Sequence, residues 1–290
     1  MAFMDVAPTG TPNNKTAILF HGNFFCGATW NETIHVLAQT GYRVIVPDHI
    51  GYCKSTKPVG YQFSLAQLAT NARSLLDTLG IGNVTVMGHS FGGTVTFRYA
   101  LMFPESIDEM VVVNAVGLED YVAKGVPWIT IETSYATSLA STFESVQAYE
   151  NMTYYVGQWE DAYDVWVQMV IDVFYGTKRD DFCWNQAQIV DVVLNQPIAH
   201  EFANVQPRLL LMIGEKDTTA IGKTWAPPSV VATLANFTAL GLDVSAQVPN
   251  CTLVFFPELG HTPQISDPVA FHAALIEWLT TGTTNSTIQS

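Results

Sequence analysis

A serine hydroxyl is a weak nucleophile at neutral pH and needs a neighbouring base, itself held by a third group, to become a useful one. The chain presents Ser90, Asp217 and His261 in that order. Ser90 lies in Gly88-His89-Ser90-Phe91-Gly92-Gly93, directly after the apolar run 84–87, VTVM, and before a helical stretch that continues to about Met102. A Gly-x-Ser-x-Gly turn between strand and helix needs small neighbours because the turn is sharp, and it lifts the hydroxyl above the sheet. It also sets Ser90 at a helix N-terminus, where backbone amides favour developing negative charge. Asp217 closes Gly214-Glu215-Lys216-Asp217 after an apolar strand, with Glu215 as its near competitor. His261 stands in Leu259-Gly260-His261-Thr262-Pro263, after the last apolar run. The chemistry this set could do is acyl transfer.

The elements that must position these residues follow from the apolar pattern. Short runs at 17–21, 43–48, 84–87, 110–114, 208–213 and 252–256 read as strands. Helices are expected at about 30–40, at 64–79 with Ser64 as N-cap and Gly80 at its end, at 91–102, at 229–240 and at 268–280. This alternation predicts an α/β fold, a mostly parallel sheet with helices on both faces. The rhythm breaks between 119 and 203, which reads as helical and is crowded with Tyr, Trp and Phe. We expect 1–118 and 204–280 to form the core, 119–203 an inserted helical cap, and 281–290 a flexible tail.

With these elements in place, the sequence resembles the α/β-hydrolase family along nearly its whole length. His21-Gly22-Asn23 looks like the family's HG-x motif, and the resemblance implies that the backbone amides of Asn23 and of Phe91, the residue after the nucleophile, form the oxyanion hole. Asp217 and His261 match the family's usual acid and base positions, while Glu119 or Asp120 would fit members whose acid follows the preceding strand. Asp48 and Gly51 match a loop that is usually structural, and His21 and His89 are assigned to packing and hydrogen bonding. His35, His49, His200 and His272 read as solvated or structural. Members resembling haloalkane dehalogenases or epoxide hydrolases carry Asp at the elbow, so the serine here disfavours those chemistries.

The resemblance implies a serine hydrolase that cleaves a carboxylic ester or lactone of a small to medium apolar substrate through an acyl-enzyme on Ser90. Carbon–carbon bond hydrolysis, a lyase reaction or perhydrolysis on the same triad are alternatives, as is a slow-turnover binding module. Phe24, Trp128, Trp159 and Trp166 are candidate substrate-binding residues, set against the ordinary role of buried aromatics in packing. No cofactor is implied. The hydrolase strand order would also make the strands at 17–21 and 43–48 neighbours, so that the loops carrying Cys26 and Cys53 emerge side by side and can form a disulfide. Cys183 and Cys251 are left unpaired.

Composition bounds the rest. A formal charge of −14 with 12 basic residues gives no cluster for nucleic acid or an anionic membrane. No apolar run approaches the roughly 20 residues that span a bilayer. The four cysteines show no zinc-like spacing, so no metal is expected. Asn-x-Ser/Thr sequons occur at Asn14, Asn31, Asn83, Asn151, Asn236, Asn250 and Asn285, where chance predicts about two. That excess points to secretion, with a cytoplasmic protein as the alternative, although residues 1–6 carry no signal-peptide pattern. Nothing in the sequence specifies an oligomeric state.

Overall fold

Apolar side chains fill both faces of each central strand, and this is what makes the sheet an interior layer. Along Ala17–Phe20, Ala17 and Leu19 point to one hydrophobic cluster and Ile18 and Phe20 to the other. The computed structural model describes residues 1–284. Seven strands are present among them: β1 (Phe3–Val6), β2 (Thr16–Phe20), β3 (Arg43–Pro47), β4 (Val84–His89), β5 (Ile107–Val113), β6 (Leu209–Gly214) and β7 (Cys251–Phe256). Their order is β1-β3-β2-β4-β5-β6-β7, and every pairing is parallel except β1 with β3. The strand β4, which leads into Ser90, is therefore central.

One face of the sheet is covered by α1 (Asn31–Gln39) and α11 (Pro268–Thr281), through Trp30, Ile34, Leu37, Phe271, Leu275 and Trp278. The other carries α2 (Leu65–Thr78), α3 (Phe91–Met102) and α9 (Phe237–Gln247). Ser64 caps α2 by accepting from Gln67 N, as its sequence position implies. Between β5 and β6 run α4 (Ile131–Leu139), α5 (Phe143–Thr153), α6 (Asp164–Phe174) and α7 (Arg179–Asn195), with α4 packed on α7 and α6 on both α5 and α7. Two short helices, α8 (Pro228–Val231) and α10 (Pro263–Ser266), complete the set. No helix is long and apolar enough to cross a membrane among the described residues.

The structure corrects three expectations. β1 was not foreseen, because its Phe-Met-Asp-Val sequence is short and largely exposed, and it is tied to the edge by Arg43 and Asp5. The helix expected over 229–240 is two elements: Ala235 adopts a left-handed φ of 59°, and Asn236 then caps α9 by accepting from Ala239 N. At the C-terminus, Gly282 takes a φ of 81° and Thr284 is buried with its hydroxyl donating to Glu277 Oε2 at 3.0 Å, so residues up to 284 close α11 rather than trail from it. The remainder of the expected tail, 285–290, lies outside the described residues.

Since β2 and β3 are adjacent, their following loops meet. Cys26 and Cys53 form a disulfide with a Cα separation of 5.8 Å. Cys183 and Cys251 are free. A crosslink between residues 27 apart in sequence restricts the unfolded chain by about 3–4 kcal/mol in the chain-entropy account. Cys53→Ser, compared with the parent by chemical denaturation without reductant, should lose stability of about that size. The parent should lose the same amount when reduced, and a midpoint unmoved by reductant would show that the bridge contributes nothing.

Candidate active site

The Gly-x-Ser-x-Gly turn is held by contacts that only glycine allows. A Cβ on Gly88 would run into the backbone of Gly92 and the Thr96 side chain, and one on Gly92 into the backbone of Phe20. Between them Ser90 adopts φ 55° and ψ −122°, a conformation strained for a residue with a Cβ and one that strands of functional sites retain. Its amide donates to Val113 O at 3.0 Å and its carbonyl accepts from Gly93 N at 2.9 Å, which ties the turn to β5 and α3. Phe91 is the first residue of α3, where backbone amides lack an intrahelical acceptor.

Asp217 follows the end of β6 and is 1% exposed. Its Oδ2 lies 2.6 Å from His261 Nδ1 and accepts from Asn114 Nδ2 at 2.8 Å, while its Oδ1 accepts from Thr219 N at 2.7 Å. The competing acids are engaged elsewhere: Glu215 accepts from Thr238, Asp120 pairs with His200, and Glu119 takes Lys124 and the Ala235 amide. A carboxylate oxygen on Nδ1 accepts the hydrogen bond that this nitrogen donates, which leaves Nε2 as the ring nitrogen able to take a proton. His261 Nε2 is buried and has no hydrogen-bond partner among the described residues.

The histidines around this pair are structural. His89 Nε2 donates to His261 O at 2.8 Å, and His21 bridges Gly22 O and the His49 amide. Burial lowers the pKa of His21 and drives those of His49 and His89 well below the usual value, so these rings stay neutral beside His261. His272 bonds Thr33, His200 meets Asp120 at the surface, and His35 is exposed.

Ser90, Asn23 and Phe91 line one cavity of about 40 Å³, together with Phe24, Tyr149 and Tyr154. Asn23 is held by Tyr52, whose hydroxyl donates to Asn23 Oδ1 at 2.7 Å. The aliphatic wall is Val116, Ile189, Val190, Val193 and Ile221. Of the four aromatic residues proposed for substrate contact, Phe24 alone is in this wall. Trp128 is 58% exposed and bonds Asp191, Trp159 bonds Asp164 and packs on Tyr155 and Tyr163, and Trp166 packs against the core from α6. Aromatic density in the sequence marked the segment but not the facing residues, which α5 and α7 supply. A larger cleft of about 680 Å³ lies at the sheet edge between β1, the disulfide and α6, and contains none of the candidate catalytic residues.

Cys26, Asp48 and Cys53 are the group of metal-ligand types that converges among the described residues. Both sulfurs are spent in the disulfide, and the Asp48 oxygens accept from the Gly27 and Lys54 amides, so the donors a metal needs are occupied. Asn114 and Tyr52 were missed in the sequence. Asn114 follows the apolar run 110–113 directly, and a polar residue there is a signal that marks a side chain facing something other than core.

A family model described as "alpha/beta hydrolase fold" matches residues 16–151. A solved structure from Pseudomonas aeruginosa PAO1, described as a "probable hydrolytic enzyme", superimposes with a TM-score of 0.94 at 46% identity, covering 96% of this chain and 89% of that one. An uncharacterized protein of Mycobacterium tuberculosis is 40% identical over 101 residues, 35% of this chain and 29% of its own length. A cis-3-alkyl-4-alkyloxetan-2-one decarboxylase of Shewanella oneidensis is 32% identical over 149 residues, 49% of this chain and 46% of its own length. The chain thus spans less than half the length of either of these two curated relatives.

Two outcomes follow from the buried carboxylates. Removing a hydrogen bond to a charged group costs about 1.5–3 kcal/mol, so Asn114→Ala should lower kcat roughly ten- to a hundredfold with KM little changed. An unaltered kcat would show that Asp217 does not depend on Asn114. Glu150, on α5, is 1% exposed with neither carboxylate oxygen bonded among the described residues, and burial pushes its pKa from 4.5 up to about 8. The titratable groups beside it are Tyr149, Tyr154 and Tyr155. Its protonated form favours the fold, so that contribution is complete below pH 4.5 and is lost as pH rises through about 8. Glu150→Gln should therefore gain stability over the parent at pH 8 relative to pH 4.5, by roughly a few kcal/mol, read from denaturation midpoints at both pH values. Parallel pH profiles would place a partner on Glu150.

Proposed function

The chain belongs to the α/β-hydrolase fold family, and from that premise we propose that it is a serine hydrolase cleaving a carboxylic ester or lactone of a small, apolar substrate. The observation that carries the reading is the Asp217–His261 pair at 2.6 Å, both residues buried, together with an elbow serine that lines one cavity with two candidate oxyanion residues and with Tyr154, whose ring lies 4.6 Å from that of His261. The name of the Pseudomonas relative, a hydrolytic enzyme at 46% identity, supports the same class.

In this reading His261 Nε2 takes the Ser90 proton as Oγ attacks the carbonyl carbon, and Asp217 stabilises the imidazolium that forms. The Asn23 and Phe91 amides receive the negative charge on the carbonyl oxygen. His261 then returns the proton to the departing alkoxide, leaving the acyl group on Ser90. Water repeats the sequence and releases the acid. The helices from 119 to 203 serve as the cap that keeps bulk water from this cavity, which strengthens each of these electrostatic contributions. The proposal includes an oxidising, secreted setting, supported by the Cys26–Cys53 disulfide and by sequon asparagines exposed at 14, 31, 83, 236 and 250.

A panel of chromogenic carboxylic esters and lactones tests the assignment. The parent should turn over at least one of them, Ser90→Ala and His261→Ala should each abolish most activity, and Asp217→Asn should lose on the order of 10³- to 10⁴-fold. Activity that survives in Ser90→Ala would overturn the nucleophile, and near-parental activity in Asp217→Asn would remove Asp217 from the triad.

A further inference from the structure

The space in front of Ser90 is small and its wall is stiff. The cavity is about 40 Å³, room for a few small groups and not for a long chain. Its aliphatic wall comes from three separate parts of the chain: Val116 after β5, Ile221 in the loop beyond Asp217, and Ile189, Val190 and Val193 on α7. All five are β-branched. Such side chains hold one χ1 strongly, so they cannot swing aside as Leu or Met can. Val193 and Ile189 are 4% and 1% exposed, packed from behind by the cluster that also holds Val192, Leu194 and Phe182. No lysine or arginine lines this cavity, so nothing there would receive an anionic tail.

We infer that the Ser90 site is selective for short acyl groups over long ones, with the chain-length limit set by Ile189, Val190 and Val193 on α7 against Val116 and Ile221. The inference rests on the acyl-transfer reading above and deepens it. The carbonyl carbon bonded to Ser90 Oγ and its oxygen at the Asn23 and Phe91 amides take up part of this room, and the acyl chain meets the aliphatic wall beyond them. A longer chain has to displace two walls at once, one on α7 and one on the core.

The test is covalent labelling of Ser90 by 4-nitrophenyl alkylphosphonates, in which Oγ attacks phosphorus and 4-nitrophenolate leaves, so the rate is read from released nitrophenolate and the site by mass mapping. An ethylphosphonate should label Ser90 at least about a hundredfold faster than an octylphosphonate, since a single misfitting methylene already costs a pocket about ten- to two-hundredfold. Val193→Ala should narrow the ethyl-to-octyl ratio at least about tenfold, and Ile189→Val, a smaller change that keeps the helix packed, should narrow it in the same direction. Equal labelling by both probes would overturn the size limit while leaving Ser90 as nucleophile. Absence of labelling by either would overturn the acyl-transfer reading and the size limit with it.

Discussion

A carboxylate with 1% of its surface exposed needs the protein to replace the water it has lost, and Asp217 shows how the fold does so. Its three bonds come from His261, from the Thr219 amide and from Asn114. Asn114 does more than donate to the acid. Its Oδ1 accepts from Gly214 N at 2.8 Å and its Nδ2 also reaches Gly214 O at 3.2 Å, so one amide side chain joins the ends of β5 and β6 at the level where the chemistry is placed. The parallel register of those strands, Val113 opposite Met212, is what brings residue 114 within reach of residue 217. Sheet pairing and acid placement are thus one constraint, and a shift in register would strip the carboxylate of a partner while leaving it buried.

The serine depends on the same strands from the other side. Its amide donates to Val113 O, one residue before Asn114, so Ser90 and Asp217 are both referenced to the end of β5. The strain at φ 55° is tolerated because β4 continues through Gly88 and His89 fully paired with Val112 and Val113, and because α3 begins at once. The neutral histidines extend this frame. His89 holds the backbone of His261, and its ring lies 4.8 Å from that of His261, while Tyr154 covers the other approach at 4.6 Å. A charged neighbour in either place would oppose the imidazolium that the proposed mechanism forms on His261, and burial keeps His89 from being one.

Much of this was readable because parallel sheets buried on both faces need continuous apolar runs, and six of the seven strands carry them. The turn at Ser90 and the positions of Asp217 and His261 were readable because each lies just past such a run. What the sequence withheld is of two physical kinds. Edge and terminal elements, β1 and the capped end of α11, are stabilised by a few polar contacts such as Arg43–Asp5 and Thr284–Glu277, which leave no periodic signal. Which side chains between 119 and 203 face the cavity depends on how α4 to α7 pack, three of them weakly amphipathic, so Trp128 and Trp159 could not be told from Tyr149 and Tyr154 by composition. Asn236 shows the same limit locally: its cap bond, rather than any hydrophobic period, decides where α9 starts.

The loop carrying Asn23 illustrates how a fold maintains a conformation that the local sequence would abandon. Phe24 has φ 61° and Cys53 φ 38°, left-handed values that cost a residue with a side chain about 1–3 kcal/mol each. Two such residues on facing loops would relax if either loop were free. They are held at three points: the Cys26–Cys53 bridge, the Tyr52 bond to Asn23, and the stacking of Phe24 on Phe174 with ring centroids 6.1 Å apart. Tyr52 is itself fully buried and stacked on Phe91, the second candidate oxyanion residue. The strained loop, its crosslink and the start of α3 therefore move as one body. The oxyanion role proposed for the Asn23 and Phe91 amides would call on that rigidity, and it comes from contacts spread over the loop after β3, α3 and α6 rather than from the Asn23 loop's own residues.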